Sequence, residues 1–360
     1  MNRQSPFSAS FLLSFPFTLH FPLRRVAAIA KLGVALFCLA SAWTVDAESS
    51  AAVLPAVGPI SAKTMSQLLL TDGARIGNRV VAVGDRGYVV WSDSNGENWE
   101  RAQAPANLPL LNAIFFTDAK NGWAVGHDAV ILHSVDEGKT WTQSFSAPSE
   151  QKPLMDILFI DAMRGFTVGA YGAFYETVDG GKTWNPRKIQ DEDKHLNSII
   201  KLGENRLLIV GEAGTILQSE DAGKLWSKVA SPYKGSFFGA IQAQDGAVII
   251  YGLRGRIFRS RDSGMKDWAQ IETKSTASIM GATRLPDGAL VLAGLAGTVL
   301  VSRDNGQSFV TLPTRSTKAI AAPLLGAPNA LLLLGEAGAR SVLLPSAVGA
   351  AASSAPPAKK

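Results

Sequence analysis

Apolar and polar residues alternate in short runs along this chain, and the pattern recurs with a period of about 42 residues. The second period contains four such runs, LNAIFFTD (111–118), GWAVG (122–126), VILHS (130–134) and TWTQS (140–144), separated by turn-forming residues. Alternation with a period of two over such short lengths is typical of β-strands. Each period therefore predicts one four-stranded antiparallel sheet.

A Gly-x-x-Gly-type turn stands between the second and third runs of every period. The leading glycines are 41 to 43 residues apart, at Gly84, Gly126, Gly169, Gly211, Gly252, Gly294 and Gly335. A period near 40 residues built from β-type units indicates a propeller, in which each repeat is one blade. The seven turns predict an all-β fold, a single seven-bladed β-propeller with four-stranded blades.

The seventh period stops after three runs, AIAAPLL (319–325), LLLLG (331–335) and ARSVLL (339–344). An unpaired sheet edge invites association with other chains. We therefore expect residues 52–60 to supply the outer strand of blade seven. The ring would then be closed by pairing of the N- and C-terminal strands.

A Ser/Thr-x-Asp-x-Gly-x-x-Trp box, the Asp box, follows the third run of most periods. An Asp in a tight turn accepts hydrogen bonds from backbone N–H groups two or three residues on, and the Gly can take a positive φ. Five such acids on five blades lie too far apart to form one acid–base pair, so we assign the box a structural role and no catalytic residue. The structural Asp-box residues are Asp136, Trp141, Asp179, Trp184, Asp221, Trp226, Asp262, Trp268, Asp304 and Phe309.

The first 47 residues predict an export signal. Arg24, Arg25 and Lys31 form a positive region, and the apolar stretch 32–43 is too short to span a bilayer of ~30 Å as a helix. A small-residue cleavage site ends at Ala47. We expect cleavage there and a soluble protein in the periplasm or envelope, with an uncleaved anchor as the alternative. The propeller then occupies residues 48–345, and the Ala/Ser/Pro-rich residues 346–360 form a disordered tail.

The composition excludes several kinds of site. Cys38, the only cysteine, lies in the signal, so the mature chain has no disulfide and no thiolate metal site. Loss of four basic residues and one acid with the signal lowers the net charge from +5 to +2, which argues against nucleic-acid binding. We expect no cofactor and no metal. The charged run 190–195 is interpreted as a solvated connection in preference to a metal site of Asp191, Asp193 and His195.

The full repeat, V-G-x-x-G-x-[I/V]-x-x-S-x-D-x-G-K-x-W, closely resembles that of the photosystem II stability and assembly factor family. The best matches are VGAYGAFYETVDGGKTW (168–184) and VGEAGTILQSEDAGKLW (210–226), and the resemblance covers residues 60–345. It implies an exported seven-bladed propeller that binds a reaction-centre subunit during assembly and performs no catalysis. The photosynthetic family uses an arginine-rich patch, and here arginines cluster in blade five, at Arg254, Arg256, Arg259 and Arg261.

The Gly-x-x-Gly turns and the connections between blades are expected on one face of the ring, with the Asp boxes on the other. The residues between the glycines vary, and loops on a rigid scaffold often carry binding residues. We expect a monomer that docks a membrane protein complex or its assembly intermediate there; ordinary solvated turns are the alternative. The candidate partner-binding residues are Asp85, Arg86, His127, Asp128, Tyr171, Glu212, Arg254, Arg256 and Glu336.

A carbohydrate-active protein, either a sialidase-like glycoside hydrolase or a lectin, is the alternative function, because the box also resembles the Asp box of sialidases. A sialidase needs a Tyr–Glu nucleophile pair and an early Arg-Ile-Pro motif, and only the late 283–286 segment, TRLP, comes near. Exposed tryptophans outside the boxes would indicate a lectin. Trp91 and Trp123 are the only such residues in the repeats.

Overall fold

The computed structural model describes residues 57–262 and 264–345, which form 28 strands in seven antiparallel sheets. The predicted export signal with its cleavage site, residues 52–56 of the predicted closing strand, and the predicted tail 346–360 lie outside these residues. The seven sheets are the blades of one propeller, so the predicted all-β, seven-bladed fold is confirmed.

Each blade runs from an inner strand at the centre of the ring to an outer strand at its perimeter. Blades one and two contain β1 (Gly58–Ile60), β2 (Leu70–Ile76), β3 (Arg79–Gly84), β4 (Val89–Ser92), β5 (Trp99–Arg101), β6 (Leu111–Phe116), β7 (Gly122–Gly126), β8 (Ile131–Ser134) and β9 (Thr142–Phe145). Blades three and four contain β10 (Leu154–Phe159), β11 (Gly165–Gly169), β12 (Phe174–Thr177), β13 (Asn185–Pro186), β14 (Leu196–Lys201), β15 (Leu207–Gly211), β16 (Ile216–Ser219) and β17 (Ser227–Lys228). Blades five to seven contain β18 (Phe237–Gln242), β19 (Val248–Gly252), β20 (Ile257–Ser260), β21 (Trp268–Ile271), β22 (Ile279–Arg284), β23 (Leu290–Gly294), β24 (Val299–Ser302), β25 (Val310–Thr311), β26 (Ile320–Leu325), β27 (Ala330–Gly335) and β28 (Gly338–Leu343).

Helical structure in the described ranges is limited to single turns. One α-helical turn, α1 (Ala62–Met65), precedes β2. The 3-10 turns are Asp85–Gly87, His127–Ala129, Pro148–Glu150, Ala170–Gly172, Glu212–Gly214, Leu253–Gly255 and Leu295–Gly297. No helix within residues 57–262 and 264–345 has the length and hydropathy of a membrane span.

The core lies between neighbouring blades. The second strand of every blade is buried along its whole length, because both faces of each sheet pack against another sheet. Runs such as LLIVG in β15 therefore lack the alternation of a half-exposed strand. Seven clusters of buried apolar side chains form this core, and the inner strands contact one another in sequence order around the ring.

The predicted pairing of the N-terminal strand with blade seven is wrong for its described part, residues 58–60. Gly58–Ile60 pairs with β5 and becomes a fifth strand of blade one, whereas the described part of blade seven has three strands. The reason is the short connection to blade one. Only Ser61 separates β1 from α1, and α1 leads directly into the inner strand of blade one. Pairing with β5 then places Ile60 against Trp99 and Leu68 in the apolar cluster of that blade.

Side-chain packing closes the ring between blades one and seven. Leu70 and Val80 of blade one lie in one apolar cluster with Leu332 and Leu334 of blade seven. The Arg75 guanidinium donates to the carbonyl oxygens of Leu325 (2.9 Å) and Gly326 (3.2 Å) across the same boundary. This boundary between blades one and seven is called the seam below.

Candidate functional site

The seven Gly-x-x-Gly turns and the connections between blades lie at the same end of the strands, and together they form the turn face. In blade one, the backbone N–H of Asp85 donates to the carbonyl of Leu69, the residue that precedes the inner strand, at 3.0 Å. The same bond recurs in every blade, and its donors in the other six are His127, Ala170, Glu212, Leu253, Leu295 and Glu336. Each turn is therefore fastened to the connection that enters its own blade.

The leading glycine of each turn is required because the backbone of the connection lies too close to leave room for a Cβ, and not because of its φ. Gly84 has an extended φ of −176°, but a Cβ on it would lie 2.0 Å from the Leu69 carbonyl oxygen. The corresponding Cβ positions in the other blades lie 2.1 to 2.4 Å from the equivalent oxygens. Any other residue would separate the turn from its connection.

The second variable residue of six turns has a left-handed backbone, which is uncommon for a residue other than glycine. Arg86, Tyr171 and Arg254 have φ values of 53°, 55° and 58°. Their side chains project into solvent; Tyr171 is 55% exposed and the Arg86 side chain is 85% exposed. Ala213 and Ala296 have the same conformation and are also exposed, so the repeated turn itself directs this position into solvent.

The first variable residue is directed back into the fold when it is an acid. Asp85, Glu212 and Glu336 accept the backbone N–H groups of Leu69 (3.3 Å), His195 (3.1 Å) and Ala319 (3.1 Å), at the entrance of their own blades. The hydrogen bonds from Lys318 and from the Ala319 N–H lower the pKa of Glu336. These three candidate binding residues therefore cap backbone groups of their own blades.

The other candidates are free to contact a partner. Arg254 and Arg256 are exposed in blade five, and within the described ranges neither guanidinium has an ion pair or hydrogen bond. Arg86 lies 3.9 Å from Asp85, and such an exposed pair contributes little. Asp128 is exposed and His127 is half-buried beside it in blade two. These residues give the turn face a discontinuous set of charges around the ring.

The predicted cluster of four arginines in blade five is split between the two faces. Arg254 and Arg256 lie at the turn face, but β20 carries Arg259 and Arg261 to the opposite end of the blade. There Arg259 is bound to Asp245 and donates to the Asn305 carbonyl at 2.9 Å, and Arg261 lies 3.6 Å from Asp267. The arginines are close in the sequence only, because Arg256 precedes the first residue of β20, whereas Arg259 and Arg261 lie near and just beyond its last residue.

A cavity of about 330 Å³ opens beside the turn of blade three. Its walls include Tyr171, Phe174 and Tyr175, and the connection 188–193 lies across from them. The Tyr175 hydroxyl donates to Glu150 at 2.9 Å; burial and this bond raise the pKa of Tyr175. The cavity adds an aromatic recess to the turn face at Tyr171.

The charged run 190–195 forms one wall of this cavity and makes contacts within the protein. Asp191 pairs with Lys188 at 3.1 Å, Glu192 pairs with Lys228 at 2.7 Å, and the His195 ring meets Tyr171 edge-on at 5.0 Å. Across residues 57–262 and 264–345, no group of three His, Cys, Asp or Glu side chains is arranged to hold a metal ion.

The Asp boxes lie at the other end of the strands and form the box face. In blade two, Asp136 accepts the backbone N–H of Thr140, four residues on, at 2.8 Å. The N–H of Lys139, three residues on as expected, also contributes to the lowered pKa of Asp136. The Ser134 hydroxyl donates to Asp136 (2.9 Å) and accepts the Gly138 N–H (3.0 Å). The same pattern at Asp179 lowers the pKa of this carboxyl to about 2 through hydrogen bonds from Thr183. Asp221 and Asp304 repeat it.

The box of blade five departs from this pattern because it has one extra residue before its tryptophan. Asp262 accepts N–H groups from both Lys266 (3.4 Å) and Asp267 (3.1 Å). Among the described residues, the indole N–H of Trp268 has no hydrogen-bond partner, and neither does that of Trp184, whose box has no insertion. The indole N–H of Trp141 donates to the Gly138 carbonyl at 2.8 Å.

The two tryptophans outside the boxes are engaged inside the fold. Trp123 is 3% exposed and lies between the rings of His133 and Phe159, with centroid distances of 3.8 and 4.9 Å. The Arg79 guanidinium covers the Trp91 ring at 4.4 Å. Neither ring offers the open face on which a sugar could stack.

Sequence reasoning missed two half-buried carboxylates on the inner strands. Asp72 accepts the N–H groups of Gly73 (2.8 Å) and of Ile114 in blade two (2.9 Å), and burial raises its pKa to about 7. Asp156 accepts the Ile199 N–H of blade four at 2.8 Å, and burial raises its pKa to about 6. Both acids join neighbouring blades. The available signal was an acid at the third position of each of these inner strands, in LTDGARI and in LMDILF.

Comparison with known proteins gives one family match. The family model described as photosynthesis system II assembly factor YCF48 matches residues 143–317, just under half of the chain. A search of the curated proteins found no match.

Solved structures of similar fold cover most of the chain. YCF48 bound to D1 peptide is 20% identical, with a TM-score of 0.63 over 78% of this chain and 95% of that one. YCF48 from Cyanidioschyzon merolae is 16% identical, with a TM-score of 0.63 over 81% and 98%. A streptogramin B lyase is 13% identical, with a TM-score of 0.65 over 81% and 99%. At these identities the similarity establishes the fold, which serves both binding proteins and enzymes. The family match agrees with the repeat in the sequence, and the predicted resemblance of this chain to the photosystem II assembly factor-like propeller family is confirmed.

Proposed function

We propose that this protein is an exported, non-catalytic scaffold whose turn face binds a membrane protein complex or its assembly intermediate, as a photosystem II assembly factor-like protein. The observation that carries the proposal is the left-handed turn residue, which holds Arg86, Tyr171 and Arg254 out into solvent on a rigid ring. The family match and the YCF48 structure with a bound D1 peptide support a protein segment as the ligand. The scaffold acts as a monomer and binds no nucleic acid.

The proposed contact is between exposed guanidinium groups and acidic or carbonyl groups of the partner. Arg254 and Arg256 have no partner within the described ranges, so they can form charge-assisted hydrogen bonds without first breaking an internal pair. Tyr171 adds an aromatic contact beside the blade-three cavity, and aromatic and arginine side chains are frequent at binding hot spots.

The first prediction concerns these arginines. Changing Arg86, Arg254 and Arg256 together to Glu should reduce capture of the partner from solubilised envelope membranes at least tenfold, because three attractive contacts become repulsive. Crosslinking in cells followed by affinity purification and mass spectrometry measures the capture. The melting temperature should stay nearly unchanged, because all three side chains are exposed.

A matched control reverses three exposed charges on the box face, by changing Lys120, Lys182 and Lys224 to Glu. This variant has the same net charge as the first and should capture the partner as the wild type does. Equal capture by all three proteins would exclude the turn face as the binding surface. Equal loss in both variants would indicate only a dependence on net charge.

A further inference from the structure

The outer edge of blade seven differs from that of the other blades. Six sheets end in a fourth or fifth strand, but the third strand of blade seven, β28, has no strand beyond it within the described residues. Ser341 and Leu343 are exposed there, and Leu343 is 77% exposed. An edge strand presents unpaired N–H and C=O groups, to which another extended segment can bind.

The hairpin that leads into β28 is one residue shorter than its counterparts. Gly335 pairs with Gly338 across a two-residue turn, whereas in blade six the Gly294 N–H bonds to the carbonyl of Thr298. The shorter turn places Arg340 opposite Leu333. Leu333 lies two residues before the leading glycine of its turn. In each of the other six blades, the residue at that place pairs with an apolar or aromatic side chain of the third strand that is at most 4% exposed. These side chains are Val90, Leu132, Tyr175, Leu217, Phe258 and Leu300.

Arg340 therefore places a guanidinium where the fold elsewhere places a buried apolar side chain. Its Nη2 atom is fully buried and has no hydrogen-bond partner, and in residues 57–262 and 264–345 no acid pairs with it. Burial lowers the pKa of this guanidinium. Arg75 is also half-buried, but it donates four hydrogen bonds, two of them across the seam. Leaving a buried charged donor unpaired is costly, and a carboxylate would satisfy it.

The chain itself has few acids that could reach this position. Residues 346–360, which follow β28, contain no Asp or Glu and end in two lysines. Residues 1–56, which precede the described part, contain only Asp46 and Glu48 as acids. The first described strand, β1, is paired with blade one.

We propose that the outer edge of β28 binds an extended segment of a partner protein as the fourth strand of blade seven, with an Asp or Glu of that segment paired to Arg340. Strand addition supplies main-chain hydrogen bonds, and the acid supplies selectivity. Residues directly opposite on adjacent strands have Cβ atoms about 5 Å apart on the same face, within reach of a carboxylate–guanidinium pair. The fourth strands of the other blades have two to four residues, so a short segment suffices.

This surface lies on the perimeter of the ring, and the inference does not depend on the turn face. The first test is the stability of the free protein. Arg340→Leu restores the apolar side chain of the other blades and should raise the melting temperature. Arg315→Leu, at an exposed arginine, is the control and should change it little. A lower melting temperature for Arg340→Leu would overturn the proposal, because it would mean that the chain already satisfies this guanidinium.

The second test supplies a strand. The probe is the hexapeptide Thr-Val-Glu-Val-Thr-Val, fused after Lys360 so that the tail acts as a tether and the effective concentration is high. A second fusion has Gln in place of Glu. The Glu fusion should melt at a higher temperature than the Gln fusion, and Arg340→Leu should abolish the difference.

Equal melting temperatures of the two fusions, or a difference that persists in Arg340→Leu, would refute the pairing. The same two fusions are also made in the turn-face variant with Glu at positions 86, 254 and 256. Their difference should persist there, because that variant leaves β28 intact. A failure of the turn-face proposal and a failure of this one are thus separable.

Discussion

At the scale of single residues, the box hydroxyl and the box acid divide the hydrogen-bond donors of the turn between them. In blade three, Thr177 accepts the Gly181 N–H at 2.8 Å and donates to Asp179 at 2.8 Å, so one side chain spans the turn. In blade one, Ser94 replaces the acid and still accepts the Asn98 N–H at 2.7 Å. The turn therefore accepts a second hydroxyl in place of the carboxylate, because that hydroxyl supplies the same acceptor.

The buried box tryptophan should be a main stabilising residue of its blade. Trp141 is 3% exposed and packs edge-on against Phe116 at 6.2 Å. Trp141→Ala removes this packing and should lower the free energy of unfolding by about 3–5 kcal/mol. Denaturant unfolding measures the loss, and partner capture by the folded fraction should be unchanged.

Leu225 in the box of blade four is the control, because it is 76% exposed. Leu225→Ala should change the free energy of unfolding by less than about 0.5 kcal/mol. If Trp141→Ala were equally mild, or if it abolished partner capture without affecting stability, the structural assignment of the box would be wrong.

The sequence located the turn residues but not what each side chain does. Arg86, Asp128 and Arg254 are exposed as expected, and the repeat alone indicated their face. The sequence did not distinguish Asp85, Glu212 and Glu336, which cap backbone N–H groups. Capping depends on the distance from a turn to a connection some 16 residues away in the chain, and composition carries no information on it.

At the scale of strands, the inner strands of neighbouring blades are joined by side-chain hydrogen bonds and not by backbone hydrogen bonds between the strands. Asp72 and Asp156 each bind a backbone N–H of the next blade, and the charge of Asp156 contributes to the raised pKa of Asp72. Tyr251 is buried near both, and its pKa is raised by burial and by the two carboxylates. These three groups form a titratable set inside the ring.

Stability should depend on pH through these acids. The pKa of Asp72 rises from 3.8 to about 7 on folding, so the folded state binds a proton more tightly than the unfolded state. Its contribution is fully present below about pH 4 and is lost as the pH rises through 7. The loss is on the order of 4 kcal/mol for Asp72, with a smaller loss for Asp156.

Thermal unfolding at a series of pH values measures this dependence. The melting temperature of the wild type should fall between pH 4 and pH 7, and Asp72→Asn should flatten the curve, because the amide does not titrate. The quantity compared is the slope of melting temperature against pH. A constant change in stability caused by the amide therefore does not affect the comparison. An unchanged slope in Asp72→Asn would show that this carboxyl does not control the dependence.

At the scale of the whole molecule, the fold was predictable because seven copies of one unit occur in the sequence. Where the copies agree, the strand assignments hold, from LNAIFFTD in β6 to LVLAG in β23. The prediction failed at the N-terminal end, where no second copy of the segment exists. The site of Gly58–Ile60 depends on α1 and on the packing of Ile60, which no repeat encodes.

For the whole molecule, we predict export with removal of residues 1–47. A ring held by seven apolar clusters needs no disulfide, which suits a mature chain without cysteine. We expect the protein purified from cell envelopes to begin at Glu48. Mass spectrometry of its N-terminal peptide decides the point. An intact N-terminus in the membrane fraction would instead support the uncleaved anchor.

The seam has a mechanical consequence. In a propeller whose N- and C-terminal strands pair within one blade, a force that pulls the two termini apart acts on that blade as shear between the paired strands. Here β1 pairs within blade one and β28 pairs within blade seven, so no hydrogen bonds between these two strands oppose the force. A force applied between the two ends would peel β1 from β5 and β28 from β27 as separate events. The two sides of the seam would therefore yield separately, and a partner strand on β28 would reinforce the blade-seven side.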